Sequence, residues 1–242
     1  MVLRELAKPK GAVLCIAQPA HALLAGRLAR AWGNGVFPAP WPHDEVVLAA
    51  EQHDVGMAAW DAEPELDPET GRPRSFLDMP LETHLELWGR APWLALSQSR
   101  WAGLLVSMHG AYLYSGRAQE PGVRGFLDAQ EVLQARLIAS LGVSPDQAAR
   151  NQRLMAAWDW LSLVLCLDRL PETVQADRPI EVARAGKKGD EIAVAPWPFA
   201  VERLEVSAEG RVLQDSFDDE AAMRAAFYAA PWRTLTWTLR PG

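Results

Sequence analysis

The chain has 242 residues, of which 49% are hydrophobic and 23% charged, and its formal net charge is −7. This composition is typical of a globular protein with a substantial core. The negative charge, which is not concentrated in any block of like charges, argues against binding to nucleic acid or to an anionic membrane surface. No run of about 18 apolar residues occurs, so no membrane span is expected.

The two cysteines and the N-terminal stretch bear on the compartment. Cys15 and Cys166 each lie in an apolar run, "AVLCIA" and "LVLCLD". Isolated thiols of this kind are typical of buried packing in a reducing compartment. The N-terminal stretch is basic and then apolar, but its apolar part is short and is not followed by a small-residue cleavage pattern. We therefore expect a cytoplasmic protein.

The first part of the chain predicts a strand and two helices. The apolar run "GAVLCIA", residues 11–17, is compatible with a strand. A helix follows, with Pro19 in its first turn and a stop at Gly33. After a Pro-rich connector, a second helix is expected from about Asp44 to Val55.

From residue 60 onward the pattern predicts one long loop, which is followed by several helices. The acid- and Pro-rich segment 60–76 is long enough to be either functional or mobile. The segment 80–171 is helical throughout, and one of its helices ends at Gly142. Ser144 and Gln147 then form a capping box at the start of a long apolar helix.

The character of the sequence changes after residue 171. Apolar and polar residues alternate in "DEIAVAPWPF", "VERLEVSAEGRVL" and "RTLTWTLRP", with turns expected at "AEG" and "KKGD" and a short helix in "DDEAAMRAAFYAA". We expect a small sheet here, to which the strand at 11–17 can add. The predicted fold is mainly α: a helical domain over residues 1–171, followed by a small α+β subdomain over residues 172–242.

A His-Asp pair ends the second predicted helix, in "VVLAAEQHDVGM". His53 continues the apolar stripe of Val46 and Ala50. Asp54 needs a partner in that setting because an unpaired buried charge is very costly. Adjacent side chains can converge on one ion only near a helix end, which Gly56 is expected to supply.

Two further polar residues lie on apolar helical faces. His21 lies on the core face of the first helix, and Asp159 lies between Trp158 and Trp160 in the last one. Any single buried histidine is more often a satisfied core residue than a ligand, so the joint pattern matters more than each residue alone. Two imidazoles and two carboxylates form a nitrogen and oxygen ligand set that suits Mn, Fe, Co, Ni or Zn.

The order His21, His53-Asp54, Asp159 resembles the ligand order of the HD-domain metal-dependent phosphohydrolases, an all-helical superfamily. The likeness spans about residues 19–170. It implies an HD-like helical bundle with a divalent ion held by these four residues, at which bound water becomes hydroxide and a phosphoryl oxygen is polarised. The stretches "QPAHALLAGRLA", "EQHDVGM" and "LLVSMHGAYLY" are also similar to a bacterial family defined only as a domain of unknown function.

The resemblance also suggests candidates for a second ion. Some members of the superfamily use two irons to activate oxygen, with extra histidines between the His-Asp pair and the last Asp. His109, which ends an apolar run, is expected to be a ligand of a second ion or a proton donor. His84 is the other candidate ligand, although its polar surroundings favour a surface histidine. His43 and Asp44 form a second His-Asp pair that we interpret as unrelated to the site.

Three residues of the long loop complete the candidate site. Asp61 can accept a hydrogen bond from a ligand histidine or orient water, which adds it to Asp54 and His109 as a candidate catalytic residue. Arg72 and Arg74 are the natural phosphate-binding candidates if the loop folds over the site, because a guanidinium grips phosphate in a fork. Solvated loop charges are the alternative for both arginines.

The leading hypothesis is a metal-dependent phosphohydrolase that acts on a nucleotide or a small phosphate ester with one or two transition-metal ions. A di-iron oxygenase on the same scaffold is the first alternative. A non-catalytic ligand-binding or regulatory module that keeps the ion for structural reasons is the second. All three imply a small-molecule partner, and they leave a homo-oligomer open.

Overall fold

The computed structural model describes residues 1–9, 11–186 and 190–242. The strands of this part are β1 Val2–Glu5, β2 Val13–Ile16, β3 Leu66–Asp67, β4 Arg72–Pro73, β5 Glu172–Val174, β6 Ile180–Arg184, β7 Glu191–Ala195, β8 Leu204–Leu213 and β9 Trp232–Pro241. The α-helices are α1 Gln18–Ala31, α2 His43–Gln52, α3 Ala58–Ala62, α4 Leu81–Leu96, α5 Arg100–Tyr114, α6 Val123–Leu141, α7 Pro145–Leu167 and α8 Glu220–Ala229. Short 3-10 turns lie at Val55–Met57 and Phe76–Asp78.

The main sheet combines strands from both ends of the chain. Its order is β1-β2-β8-β9-β7-β6-β5. Neighbouring strands are antiparallel except β7 and β9, which are parallel. Strands β3 and β4 form a separate two-stranded hairpin. Because β2 pairs with β8, the expected association of the early strand with the C-terminal strands is confirmed.

Strand β2 is buried on both faces. Leu14 and Ile16 pack into the main core, together with the helices. Val13 and Cys15 point the other way, into a smaller core that includes residues of α8. Successive side chains of a strand point to opposite faces, and a strand covered on both of them has an unbroken apolar sequence.

The helices carry the polar candidates into the core. Helix α1 packs against α2, α7 and β8, and α5 packs against α2, α4, α6 and α7. Leu24, Ala25 and Leu28 of α1 are fully buried, and His21 lies on the same side of this helix. The apolar stripe of α1 therefore fixes the position of an imidazole inside the protein.

The expectation of a mainly α, all-helical fold is wrong. The curled seven-stranded mixed sheet makes the fold α+β. Strands β1 and β5 contain only four and three residues, too few to show a period-two pattern in the sequence. The division into residues 1–171 and 172–242 stays a prediction; β1 and β2 of the first segment share the sheet with strands of the second.

One expected turn proves to be part of a strand. The "AEG" segment, residues 208–210, lies inside the continuous strand β8. A Cβ at Gly210 would lie 2.7 Å from the carbonyl oxygen of Cys15. This glycine therefore allows the close approach of β2 rather than a turn. The other expected turn, "KKGD", falls mainly on residues 187–189, which lie outside the described residues.

Other local expectations are confirmed. Ser144 Oγ accepts a hydrogen bond from Gln147 N at 3.1 Å, which caps the start of α7. Cys15 and Cys166 are buried free thiols, and burial raises the pKa of each to about 12. In the described part of the chain, no helix combines the length and hydropathy needed to cross a bilayer.

Gly56 gives a testable packing constraint beside the His-Asp pair. It lies in the 3-10 turn that follows α2, where a Cβ would be 2.7 Å from both the Leu87 carbonyl oxygen and Ala91 Cβ of α4. We expect Gly56→Ala to lower the free energy of unfolding by about 1–3 kcal/mol in urea denaturation. The control is Gly89→Ala in α4, where a Cβ meets nothing within 4 Å. A control as damaging as Gly56→Ala would contradict this packing role.

Candidate metal centre

Helices α1, α5 and α7 and the end of α2 bring five ionisable side chains into one buried cluster. His21 comes from the first turn of α1, His109 from α5 and Asp159 from α7. His53 and Asp54 directly follow the last residue of α2. At Asp54 the backbone leaves the helix, with φ −103° and ψ 18°, so the two consecutive side chains both reach the cluster. The helix ends at Gln52, three residues before the expected Val55, and Asp54 rather than Gly56 is where the backbone leaves the helix.

His53 presents an unpaired nitrogen to two carboxylates. Its Nδ1 donates to the Ala50 carbonyl oxygen at 2.8 Å, so Nε2 of the neutral ring carries a lone pair. Nε2 lies 3.3 Å from Asp159 Oδ1 and 3.7 Å from Asp54 Oδ2. Within the described residues, this fully buried nitrogen has no hydrogen-bond partner. Such a group of acceptors is stable only with a proton or a cation between them.

The ring of His21 is held in the same way as that of His53, with Nδ1 at a neighbouring acceptor and Nε2 facing a carboxylate. Ser162 Oγ donates to the Asp159 carbonyl oxygen at 2.8 Å and therefore accepts from His21 Nδ1 at 2.9 Å. His21 Nε2 then faces Asp54 Oδ2 at 2.6 Å. Both imidazoles thus turn their Nε2 atoms toward the carboxylates, with the Nδ1 protons fixed by neighbouring acceptors.

The ionisable groups of the cluster shift one another's pKa values. Burial lowers the pKa of His53, but the carboxylates of Asp54 and Asp159 outweigh it and raise this pKa to about 9. Burial raises the pKa of Asp54, yet His53 and His21 bring it below its ordinary value. Burial raises the pKa of Asp159, but His109 and His53, whose Nε2 atoms lie 3.4 and 3.3 Å from its carboxylate oxygens, outweigh burial and hold this pKa well below the usual range. Without an ion, a proton on the imidazole at position 53 therefore compensates the carboxylates.

The donor set also fits a transition-metal ion. One ligand atom from each of His21, His53 and Asp159 lies within 4.8 Å of the others. An ion about 2.1 Å from its ligands keeps them no more than about 4.2 Å apart, so a contraction of a few tenths of an ångström completes the sphere. Asp54 adds a carboxylate oxygen next to both Nε2 atoms. Imidazoles whose Nδ1–H is held by a backbone carbonyl or a hydroxyl are typical of metal-binding histidines.

His109 lies beside the same carboxylate. Its Nε2 is 3.4 Å from Asp159 Oδ2, and its Nδ1 is 3.4 Å from the side-chain nitrogen of Gln152. In this rotamer Gln152 donates to Nδ1, and His109 holds its proton at Nε2. The opposite amide rotamer would pair the unsatisfied Gln152 Oε1 with Nδ1–H and free Nε2 as a ligand. Both expected roles of His109, proton donor and ligand, are therefore compatible with its position.

His84 does not fit the role of a second-ion ligand. Trp88 Nε1 donates to His84 Nε2 at 3.0 Å, and Tyr114 Oη lies 2.6 Å from His84 Nδ1. Because an indole nitrogen can only donate, the neutral ring carries its proton at Nδ1 and donates it to Tyr114. Burial lowers the pKa of His84 to about 4, which keeps the ring neutral. Both of its nitrogens are thus engaged, and the half-buried ring lies at the wall of the cavity.

Asp61 lies outside the cluster of ligands. Its Oδ1 pairs with the α-amino nitrogen of Met1 at 2.7 Å, and its Oδ2 accepts from the backbone N–H of Gln18. Both oxygens are therefore occupied by groups other than the histidines. The expected contact of Asp61 with a ligand histidine is not observed, and its carboxylate instead anchors the start of α1.

The two loop arginines form ion pairs with glutamates outside the cluster. Arg72 pairs with Glu5 at 2.6 Å and donates to the Gly11 carbonyl oxygen, which ties the loop to β1. Arg74 pairs with Glu65 at 3.3 Å. Neither arginine lines the cavity at the cluster. The segment 60–76 is thus partly ordered by α3 and the β3–β4 hairpin, and only its last residue, Phe76, reaches the cavity at the cluster.

A cavity of about 220 Å³ opens onto the cluster, and some of the residues that line it were not predicted from the sequence. Its polar wall includes Gln18, Tyr114 and Arg117, none of which we predicted. Gln18 lies three residues before His21, so helical spacing could have indicated it. Tyr114 and Arg117 lie at and beyond the end of α5, where no local signal relates them to the site.

The family of the chain rests on the match of one family model. A model described as "Protein of unknown function (DUF3891)" matches residues 1–215 of the 242. The chain belongs to the DUF3891 family. No curated protein and no solved structure matches it. The expected likeness to a domain of unknown function is confirmed, and all five cluster residues of this DUF3891 member lie inside the matched region.

Metal content tests the ligand assignment. We expect His53→Ala to lower bound transition metal from about one ion per chain to near zero, because it removes a ligand, as measured by elemental analysis after dialysis. The control is His43→Ala, which removes an exposed histidine that also pairs with the following aspartate. Ser162→Ala should weaken metal affinity about 10–100-fold by releasing the His21 ring. Wild-type metal content in His53→Ala would refute the site.

The pH dependence of stability tests the electrostatics of the metal-free protein. The pKa of His53 is raised from 6.5 to about 9, so protonation stabilises the fold below about pH 6.5, and this contribution is lost as the pH rises through 9. The loss is on the order of 3 kcal/mol. Urea denaturation of the chelated protein between pH 6.5 and 9.5 measures it. The metal-loaded protein should not lose this stability, because the ion replaces the proton; parallel profiles would contradict the assignment.

Proposed function

We propose that this protein is a metal-dependent phosphohydrolase that acts on a small phosphate ester at His21, His53, Asp54 and Asp159. The observation that carries the proposal is the buried, unpartnered Nε2 of His53, which faces two carboxylates at 3.3 and 3.7 Å. The order of these residues along the chain resembles the ligand order of the HD-domain phosphohydrolases, and this resemblance is a second support for the proposal. The expected ion is Mn, Fe, Co, Ni or Zn.

The residues around the ion site have distinct tasks in this proposal. The Ala50 carbonyl and the Ser162 hydroxyl hold two imidazoles with their Nε2 atoms directed inward. When bound, the ion supplies a Lewis acid for a phosphoryl oxygen and lowers the pKa of water. His109 lines the cavity with its proton at Nε2, and in this proposal it donates that proton to the leaving group.

The size of the cavity favours a small substrate over a nucleotide. Its volume of about 220 Å³ lies below the range of roughly 300–1,000 Å³ that is usual for pockets of drug-sized ligands. The net charge of −7 also disfavours long nucleic acids as substrates. We therefore propose that the partner is a small molecule, namely a compact phosphate monoester.

The alternatives differ in the number of ions and in turnover. A di-iron oxygenase needs a second set of ligands, and the nitrogens of His84 are both engaged. His109 and Asp159 would then have to supply the second ion. A non-catalytic module would keep one tightly bound ion without any reaction.

Hydrolysis of chromogenic phosphate esters tests the proposal. We expect the protein loaded with Mn to hydrolyse a small monoester such as p-nitrophenyl phosphate, because the ion activates both water and the phosphoryl group. His53→Ala should lower kcat/KM at least 100-fold, and His43→Ala should leave it unchanged. Two irons per chain with an oxygen-dependent spectral change would support the oxygenase instead. One bound ion without turnover in either assay would support the non-catalytic module.

A further inference from the structure

The cavity above the cluster contains an unused hydrogen-bond donor. Gln18 is 3% exposed, and its side-chain Nε2 has no hydrogen-bond partner among the described residues. The backbone of Gln18 is engaged separately, through the hydrogen bond of its N–H with Asp61. A buried amide without a partner is costly, so its retention at the wall of a cavity points to a ligand that accepts from it.

Tyr114 offers a second donor to the same cavity. Its hydroxyl oxygen accepts the proton of His84 Nδ1, because Trp88 Nε1 already donates to the other ring nitrogen. The hydroxyl proton of Tyr114 is therefore left for another acceptor. No other hydrogen bond of this hydroxyl is found within the described part of the chain. The hydrogen bonds from Trp88 to His84 and from His84 to Tyr114 thus leave the hydroxyl proton of the tyrosine available to another acceptor.

Two apolar side chains and a guanidinium that is paired with a carboxylate complete the cavity. The guanidinium of Arg117 lies 5.0 Å from the centre of the Tyr114 ring and lines the cavity. Its Nε and Nη2 atoms donate to Glu120, which holds it in place. Phe76 and Leu163 contribute apolar surface. Hydrogen-bond donors and an ion-paired guanidinium therefore lie in the same cavity as the imidazoles and carboxylates of the cluster.

We propose that the Gln18 amide and the Tyr114 hydroxyl form a donor pair that binds the oxyanion of a small substrate, with Arg117 at the rim of the same cavity. The proposal rests on the proposed function for the identity of the anion, a phosphate monoester. Hydrogen bonds to a charged group are stronger than those between neutral groups, so two such donors can select a compact oxyanion. The cavity of about 220 Å³ leaves space for only a small group beyond the phosphate.

Titration of the metal-loaded protein with inorganic phosphate tests this donor pair. The probe is added in a calorimeter after excess metal has been removed, and metal content is measured in parallel. We expect Tyr114→Phe and Gln18→Leu each to weaken phosphate binding about tenfold or more, with metal content unchanged. The matched controls are Tyr228→Phe and Gln98→Leu. The Tyr228 hydroxyl donates to the Ala62 carbonyl oxygen at the surface, and the Gln98 amide is exposed.

The outcomes separate the donor pair from the proposed reaction. Phosphate affinities of Tyr114→Phe and Gln18→Leu within twofold of wild type would overturn the donor pair, even if the protein hydrolyses esters. Absence of phosphate binding by the wild type would overturn it as well. Phosphate binding that depends on both residues, without any ester hydrolysis, would support the pair and refute the proposed reaction. Retained metal content in both variants excludes a general loss of structure as the cause.

Discussion

The local arrangement of the core depends on acceptors that face one another in a buried space. The Nε2 atoms of His21 and His53 point at the carboxylates of Asp54 and Asp159, and these four side chains have little access to water. Without positive charge between them, the desolvation and repulsion would be severe. A proton or another cation must therefore be part of the folded state, so protonation and folding are coupled, and in the proposed function metal binding is coupled to both.

The architecture around this cluster gives each ligand a rigid support. α1, α5 and α7 pack into one core, so the distances between their polar residues are set by apolar contacts. The end of α2 adds two consecutive ligands, and Gly56 lets that turn lie directly on α4. The sheet covers the far side of α1 through β8 and keeps this helix in place. Three of the cluster residues thus lie on helices, and the other two lie on a turn that is packed against α4.

The chemistry of the cavity is divided between donors and acceptors. The cluster supplies lone pairs that suit a cation, whereas Gln18, Tyr114 and Arg117 supply donors that suit an anion. A ligand that carries negative oxygens close to a metal ion satisfies both parts at once. This complementarity links the proposed phosphohydrolase reaction to the proposed oxyanion-binding pair, although the two can be tested separately.

The sequence by itself indicated the long helices, the capped start of α7 and the four residues proposed as ligands, because apolar periodicity and capping are local signals. It also indicated that an acid between two tryptophans at position 159 needed a partner. Only the tertiary structure decided the α+β class, since β1 and β5 are too short to show a local pattern and β2 pairs with the remote strand β8. Likewise, Asp61, Arg72 and Arg74 have ordinary loop sequences, and it is packing that pairs them with other groups and brings Gln18 and Tyr114 to the cavity. Contacts between distant segments follow from how the whole core is filled, and no short stretch of sequence encodes that.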